Sequence, residues 1–164
     1  MSARLIKHGF TLIELLVVIS IIGILVTLIA ANLNSARSRA RDTQRKSDLR
    51  NIKTALMMYY NTCGAYPDNG PAGQIEGCGT TCTSVSDCPW GSPWEMGGTD
   101  YMKLLPKDPL DSQNYTYTYM DDNNFTLVSL LENMSDEAGE TSRTQCGYSD
   151  AHEDGKNEYA VCDD

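Results

Sequence analysis

The sequence predicts an α+β fold in which one long N-terminal helix packs on a small antiparallel sheet. The first observation is an apolar run over residues 10–31, in which Glu14 is the single charged residue. Second, apolar side chains recur every three or four positions over residues 49–63, which is the spacing of one helix face. Third, residues 115–120 alternate between aromatic and polar side chains, and a second β-rich run, residues 125–132, follows a polar turn. Two such runs predict a β-hairpin.

The apolar run is long enough to cross a bilayer as a helix. A helix rises about 1.5 Å per residue and needs roughly 20 residues to span the hydrocarbon layer. A secretory signal peptide is an alternative, because Ala30 and Ala31 resemble a small-residue cleavage site. The apolar region of a signal peptide is usually only about 7–15 residues long, so a membrane-spanning helix fits better. A carboxylate such as Glu14 is costly within hydrocarbon and usually has a partner there, unless it lies near the headgroups.

The segment around Glu14 reads KHGFTLIELLVVI at residues 7–19. It resembles the class III signal of type IV pilins and of the related pseudopilins of type II secretion. The resemblance implies that a prepilin peptidase removes the leader, residues 1–9, by cutting after Gly9. It also implies that the new N-terminal residue, Phe10, is methylated on its amine, and it places Glu14 at the fifth mature position.

The same resemblance gives Glu14 a role in assembly. It implies that the carboxylate of Glu14 neutralises the Phe10 amine of a neighbouring subunit within the apolar layer. Two buried opposite charges roughly offset their desolvation, whereas either one alone is strongly destabilising. Such a pair fixes the register between subunits, and apolar packing between helices supplies the attraction. The implied product is a filament of a type IV pilin-like protein.

The helix is predicted to continue beyond the membrane to about residue 61. Residues 32–62 contain neither Pro nor Gly, and the sequence CGAYPDNG at residues 63–70 ends the helix. The members of its apolar stripe are Leu49, Ile52, Leu56, Tyr59, Tyr60 and Cys63. We therefore assign residues 10–31 to a transmembrane and filament-core helix, and residues 32–62 to a continuation that packs on the head, residues 63–164.

Charge divides the chain at the same boundary. Residues 1–62 carry a net charge of +6 and residues 63–164 carry −15. We expect that the acidic head alone does not bind nucleic acid, because the phosphate backbone attracts clustered cations. The cations of the helix continuation are Arg37, Arg39, Arg41, Arg45, Lys46, Arg50 and Lys53. We interpret them as a solvated helix face, supported by the i, i+4 pair of Asp42 with Lys46. Contact with the acidic heads of neighbouring subunits is one alternative, and nucleic-acid binding is another.

Two signals for the topology of the span oppose each other. The positive-inside rule counts two cations before the span, Arg4 and Lys7, and five after it from Arg37 to Lys46, which favours a cytoplasmic C-terminal part. The class III signal implies the reverse, because its peptidase acts on a cytoplasmic leader. Six cysteines after the span also indicate an oxidising compartment. We therefore predict a single-pass inner-membrane protein with an exported head, which lies on the cell surface in a filament after assembly.

Within the head, residues 64–98 are predicted to be loop-like because they are rich in Gly, Cys, Ser, Thr and Pro. A short helix is predicted over residues 100–105, capped by Thr99 and ended by Pro106. Beyond the hairpin, residues 158–162 predict a third strand. The segment YMKLLPKDP, followed by the Tyr-rich strand and FTLVSLLE, resembles the major pseudopilin of type II secretion and similar short pilins.

An even number of cysteines in an exported, loop-rich head predicts up to three disulfides. The six are Cys63, Cys78, Cys82, Cys88, Cys146 and Cys162. We expect Cys146 to pair with Cys162 and the other four to pair among themselves. A zinc site at CGTTC together with Cys88 is the alternative, but its spacing is irregular and exported thiols tend to oxidise.

No metal, cofactor or catalytic residue is predicted. The acidic segment with Asp150, Asp154 and Glu158 lacks the familiar calcium-loop pattern of such pseudopilins. We interpret it as a solvated acidic loop, with calcium binding as the alternative. His152 has no nucleophile at motif spacing, and no phosphate-binding loop is present in the sequence.

Together these features predict a structural protein and not an enzyme. Our first interpretation is a subunit of a type IV pilus or related filament, a homopolymer of this chain that depends on the prepilin peptidase and the assembly machinery. A pseudopilin of a type II secretion system is the alternative within the family. An alternative of another class is a membrane-anchored binding or adhesion domain that never polymerises.

Overall fold

The computed structural model describes residues 10–147 and 157–163. The chain divides into two compact units, Met1–Arg37 and Ser38–Asp164. One helix, α1 at Leu12–Cys63, begins in the first unit and ends in the second. Two small sheets and a second helix complete the second unit. This arrangement confirms the predicted α+β class, with a long N-terminal helix and small sheets.

Helix α1 has 52 residues and begins and ends two residues later than predicted. It contains no Pro, and Gly23 does not interrupt it. The helix ends because Gly64 takes the left-handed conformation, with φ of 79°. The N–H of Gly64 donates to the carbonyl of Tyr60 at 2.7 Å, which satisfies one of the free carbonyls of the last turn.

In the first unit, every side chain of α1 from Leu12 to residue 29 is exposed. Most are large and aliphatic, and Leu12 itself is 82% exposed. A helix that is apolar on all sides needs an apolar environment around it. By length and composition, α1 is the one helix among the described residues that could cross a membrane.

The first sheet of the second unit follows directly after α1. Its strands are β1 at Asp68–Asn69, β2 at Ile75–Thr81, β3 at Ser84–Cys88, β4 at Trp94–Met96 and β5 at Thr99–Met102. They lie in the order β1-β2-β4-β5, and β3 pairs with β2. All the pairs are antiparallel except β2 with β4, and a 3₁₀ turn at Pro71–Gly73 leads into β2.

The predicted helix over residues 100–105 is wrong, because this segment begins as strand β5. Gly97 and Gly98 have φ of 60° and 80° and form the two-residue turn between β4 and β5. Two adjacent residues with positive φ are typical of a tight β-hairpin. Thr99 therefore pairs with Met96 instead of capping a helix.

The prediction that residues 64–98 are loop-like is also wrong, since four strands lie within them. The strands are short, and their Gly and Cys residues interrupt the alternation of apolar and polar side chains by which a strand is recognised. The side chain of Trp94 in β4 helps to hold these strands together. It is fully buried, and its indole N–H donates to the carbonyl of Gly77 in β2 at 3.0 Å. Its ring also lies 5.8 Å from that of Tyr59 on α1.

The second sheet contains the predicted hairpin and the predicted third strand. Its strands are β6 at Thr116–Asp121, β7 at Asn124–Leu131 and β8 at Asn157–Cys162. They are antiparallel in the order β6-β7-β8. The α1 residues of the core are Leu49, Ile52, Ala55, Leu56 and Tyr59, and those of this sheet are Tyr117, Phe125, Leu127, Leu131, Tyr159 and Val161. The predicted apolar stripe is thus covered by the sheets.

A second helix, α2 at Glu137–Gln145, packs against β8. Asp136 caps it by accepting a hydrogen bond from the N–H of Ala138 at 3.0 Å. Gly139 allows close approach, because a Cβ there would collide with the side chain of Asn157. The sequence analysis did not predict α2, whose polar composition shows no apolar stripe.

Candidate functional site

The N-terminal turn of α1 holds two of the predicted assembly residues. Phe10 precedes the helix and is 84% exposed, and Glu14 lies in the first turn. One carboxylate oxygen of Glu14, Oε2, accepts hydrogen bonds from the backbone N–H of Thr11 at 2.9 Å and from its hydroxyl at 2.7 Å. The Thr11 hydroxyl in turn accepts from the N–H of Glu14 at 3.3 Å. Gly9, the predicted cleavage position, lies outside the described residues.

This reciprocal arrangement is a capping box, which satisfies two backbone N–H groups at the start of a helix. The sequence analysis identified Glu14 but missed Thr11, although the spacing Thr-x-x-Glu indicates a capping box. The carboxylate of Glu14 is thereby fixed at the positive end of the helix dipole. It is bound to Thr11, the residue that directly follows Phe10 in the chain. A carboxylate accepts up to about four hydrogen bonds, so Oε1 retains acceptor capacity in this geometry.

The second cluster lies at residues 41–46 of α1, in the second unit. Arg45 is fully buried, and its guanidinium donates to both carboxylate oxygens of Asp108, at 2.7 and 2.8 Å. The same group donates to Asp42 at 2.7 Å and to Glu132 at 2.8 Å. One buried cation is therefore paired with three carboxylates, two of them from loops distant in sequence.

The neighbouring cations of α1 are also paired. Arg41 donates through two nitrogens to the carboxylate of Glu132, which makes a bidentate ion pair. Lys46 is paired with Asp136, the residue that caps α2. Together these contacts attach the end of β7 and the start of α2 to one stretch of α1.

Asp42 is the residue in this cluster that the sequence analysis misinterpreted. It is 2% exposed, and its two oxygens accept hydrogen bonds from the backbone N–H groups of Glu132 and Asn133 at 2.9 and 2.8 Å. The predicted i, i+4 pair with Lys46 is absent from the ion pairs of the described residues. The prediction of a solvated helix face is thus wrong for Arg41, Arg45 and Lys46, which are paired with carboxylates of the head.

The charges of the cluster shift the pKa values of its members. Hydrogen bonds from Arg41 are the main reason that the pKa of Glu132 falls to about 2; burial opposes this, and Arg45 adds to it. Burial alone would lower the pKa of Arg45, but its bonds to Asp108 and the other carboxylates outweigh burial and raise that pKa. Both Glu132 and Arg45 therefore stay charged at neutral pH.

All six predicted cysteines are joined in disulfides. Cys146 pairs with Cys162, which links the end of α2 to the end of β8. The other four pair among themselves, as Cys63 with Cys82 and Cys78 with Cys88. The Cys63–Cys82 bond ties the last residue of α1 to the turn between β2 and β3. This pairing leaves no thiolates at CGTTC for the alternative zinc site.

The predicted acidic loop falls mostly outside the described residues, among them Asp150, His152 and Asp154. Glu158 is described and lies in β8, where it is 4% exposed. The interpretation of Glu158 as part of a solvated loop is therefore wrong. Within residues 10–147 and 157–163, no group of three His, Cys, Asp or Glu side chains is arranged to hold a metal ion.

The chain matches two protein-family models that together cover most of its length. Residues 4–30 match the prokaryotic N-terminal methylation motif. Residues 32–145 match the model described as type II secretion system (T2SS), protein G. The second match includes the ion-paired cluster, both sheets up to β7, and α2.

Several curated proteins are similar to this chain, and each of the following is named type II secretion system core protein G. The protein of Pseudomonas aeruginosa is 36% identical over 103 residues, which is 63% of this chain and 68% of the relative. That of Vibrio cholerae is 31% identical over 141 residues, 86% of this chain and 90% of the relative. That of Klebsiella pneumoniae is 33% identical over 106 residues, 65% and 71% of the two chains. No solved structure matches the chain.

Proposed function

Because this chain belongs to the protein G family of type II secretion systems, we propose that it is a pseudopilin, the repeating subunit of a short filament that works in protein secretion. The observation that carries the proposal is the family match over residues 32–145, which includes most of the head. The methylation motif alone would fit a surface pilus equally well, since pilins and pseudopilins share it. The match in the head therefore favours the pseudopilin over the pilus subunit that we placed first from the sequence.

In the proposed function, the subunit is first processed and anchored in the inner membrane. Residues 1–9 form a cytoplasmic leader, a prepilin peptidase cuts after Gly9, and Phe10 is methylated. Residues 10–31 then anchor the subunit in the inner membrane with its head exported, and later line the filament core. Their exposed aliphatic surface supports both stages, because either lipid or neighbouring helices would cover it.

Assembly is proposed to use the carboxylate of Glu14 and the amine of Phe10 from a neighbouring copy. Glu14 is already bound to Thr11 through one oxygen, so its direction at the start of α1 is set before a neighbour arrives. The remaining acceptor capacity of the carboxylate is then available to the incoming amine. Breaking such a pair within an apolar core would leave an uncompensated charge.

The cluster around Arg45 contributes to the same function in a different way. It fixes the loops of the head to residues 41–46 of α1 through several charged hydrogen bonds. When a subunit is pushed outward through α1, its head must move together with residues 41–46 of the helix. The buried ion pairs and the shared core within the second unit provide that stiffness.

Secretion by the native host tests the proposal. Deletion of the gene is expected to leave the substrates of type II secretion inside the cell envelope, and the wild-type gene should restore their release into the medium. Loss of surface pili with normal secretion would instead indicate a pilus subunit. No effect on either, with the protein still anchored in the membrane, would indicate a domain that does not polymerise.

A further inference from the structure

Five cations lie between residues 37 and 46 of α1, and the structure divides them into two groups. Arg41, Arg45 and Lys46 are all paired with carboxylates of the head. Arg37 and Arg39 are exposed, and neither forms an ion pair with any residue that the structure describes. Two cations are therefore available after the span, the same number as lie before it, so the excess that opposed the predicted topology is removed.

The spacing along α1 indicates where these two cations lie when the helix crosses a bilayer. Ala31 is the last residue of the apolar run, so Arg37 and Arg39 follow it by about 9 and 12 Å of helix. Each headgroup layer adds roughly 5–8 Å to the hydrocarbon core. An arginine side chain is long enough to reach back across the remaining distance and place its guanidinium among the phosphates.

The position of the two residues around the helix favours lipid over a single protein partner. Successive residues turn by about 100°, so Arg37 and Arg39 point in directions roughly 200° apart. One protein surface on one side of the helix cannot contact both. Lipid surrounds a single transmembrane helix on every side, and its headgroups meet both cations at once.

We propose that Arg37 and Arg39 form a cationic collar that binds anionic phospholipid headgroups on the exported side of the membrane before assembly. This inference rests on the proposed function, because it concerns the membrane-anchored stage of the subunit. The collar also offsets the net charge of −15 of residues 63–164, which an anionic membrane surface repels. Attraction of this kind strengthens binding about five-fold for each cation near the surface.

Lipid selection by the isolated subunit tests the collar. The chain that begins at Phe10 is placed in nanodiscs of phosphatidylcholine with a minor share of phosphatidylglycerol, and native mass spectrometry counts the lipids that stay bound on release. The test variant is Arg37→Gln with Arg39→Gln. The control is Arg50→Gln, since Arg50 is also exposed but follows Ala31 by about 28 Å of helix.

The wild type and the Arg50→Gln control are expected to retain phosphatidylglycerol in preference to phosphatidylcholine. In the double variant this preference should fall about 30-fold in relative affinity. An equal preference in the double variant, or none in the wild type, would overturn the collar. Reduced cross-linking between copies without any change in bound lipid would also overturn it, and would assign the two cations to a neighbouring subunit. Because the lipid measurement needs no filament, its result is independent of whether the chain works in secretion.

Discussion

Arg45 and Asp108 lie 63 positions apart in the chain, yet the guanidinium of Arg45 donates to both carboxylate oxygens of Asp108 at 2.7 and 2.8 Å. Both side chains are almost entirely buried. A buried ion pair adds little net stability compared with apolar residues of the same size, but the loss of one partner leaves a charge without compensation. The pair therefore makes the position of the loop around Asp108 depend on one turn of α1.

Replacement of Asp108 should strongly destabilise the head. Asp108→Asn removes the bidentate charged pair with Arg45, while Asp42 and Glu132 still compensate the buried guanidinium. We therefore expect a loss of about 1.5–3 kcal/mol in the free energy of unfolding. Urea unfolding of the detergent-solubilised chain measures it. Asp111→Asn is the matched control, since Asp111 is exposed and forms an exposed i, i+4 ion pair with Lys107, and its effect should be small. Equal effects of the two variants would contradict the role of the buried pair.

Acid should weaken the head through Glu132. The folded protein lowers the pKa of this carboxyl from 4.5 to about 2. Its contribution to stability is therefore complete above about pH 4.5 and is lost as the pH falls towards 2. Glu132→Gln should reduce the slope of unfolding free energy against pH over that window, although the variant is less stable at neutral pH. An unchanged slope would show that other carboxylates carry the acid sensitivity.

The lowered pKa of Asp136 acts in the same direction, since Lys46 stabilises its charged form. Asp48 acts in the opposite direction, because burial raises its pKa. The comparison of Glu132→Gln with the wild type removes both contributions, since they are common to the two proteins.

The disulfide pairing predicts a specific peptide map. Non-reducing digestion of the exported protein should yield Cys63 joined to Cys82, Cys78 to Cys88 and Cys146 to Cys162. Replacement of both Cys146 and Cys162 by Ser should cost about 3 kcal/mol on the chain-entropy model. Free thiols at these positions, or scrambled pairs in the exported protein, would contradict the structure.

Glu14→Ala should block assembly without affecting the head. The variant loses both the capping box with Thr11 and the proposed partner of the Phe10 amine. Electron microscopy should then show few or no filaments, while mass spectrometry still finds mature chains that begin at methylated Phe10. Ser20→Ala, in the same exposed apolar stretch, is expected to assemble normally. A normal filament yield from Glu14→Ala would leave the proposed assembly pair without support.

Gly139→Ala separates helix propensity from packing. Alanine is favoured over glycine by about 1 kcal/mol in a helix, so propensity alone predicts a more stable protein. The structure predicts the opposite, because the new Cβ would collide with Asn157 and approach the backbone carbonyl of Glu158. Thermal unfolding should show a lower midpoint for Gly139→Ala and little change for the exposed Thr141→Ala. A raised midpoint would show that α2 can move away from β8.

The sequence predicted the parts of the fold that depend on local pattern. The stripe from Leu49 to Tyr59 and the alternation in β6 each follow the period of a single element. The stripe lies in the core, and Tyr117 of β6 is buried there. The early strands were missed because they are short and rich in Gly and Cys. The adjacent glycines Gly97 and Gly98 are a hairpin signal in the sequence. The predicted helix at residues 100–105 depended instead on Thr99 as its cap.

The candidate site was predictable to a smaller extent. Glu14 follows from the motif, and Thr11 could have been added from the spacing of a capping box. The partners of Arg45 could not, because Asp108 and Glu132 are acids among many in an acidic head, and only the folded chain brings them together. The i, i+4 spacing of Asp42 and Lys46 predicts an ion pair between them. In the folded chain Asp42 instead accepts from backbone N–H groups after β7, and Lys46 pairs with Asp136.

Among the described residues, β8 follows every other strand and helix in sequence order, and this order affects when the head completes its fold. Asn157 at its start donates to the carbonyls of Asn133 and Asp136, and Cys162 at its end closes the third disulfide. A head that is exported in sequence order behind an anchored span exposes Arg45 early and receives β8 after the other described strands. Until then the edge of β7 has no partner on that side, so a subunit stalled during export presents an open strand to chaperones and proteases. The pairing of β8 with β7 thus decides when the exported head ceases to be a substrate for quality control.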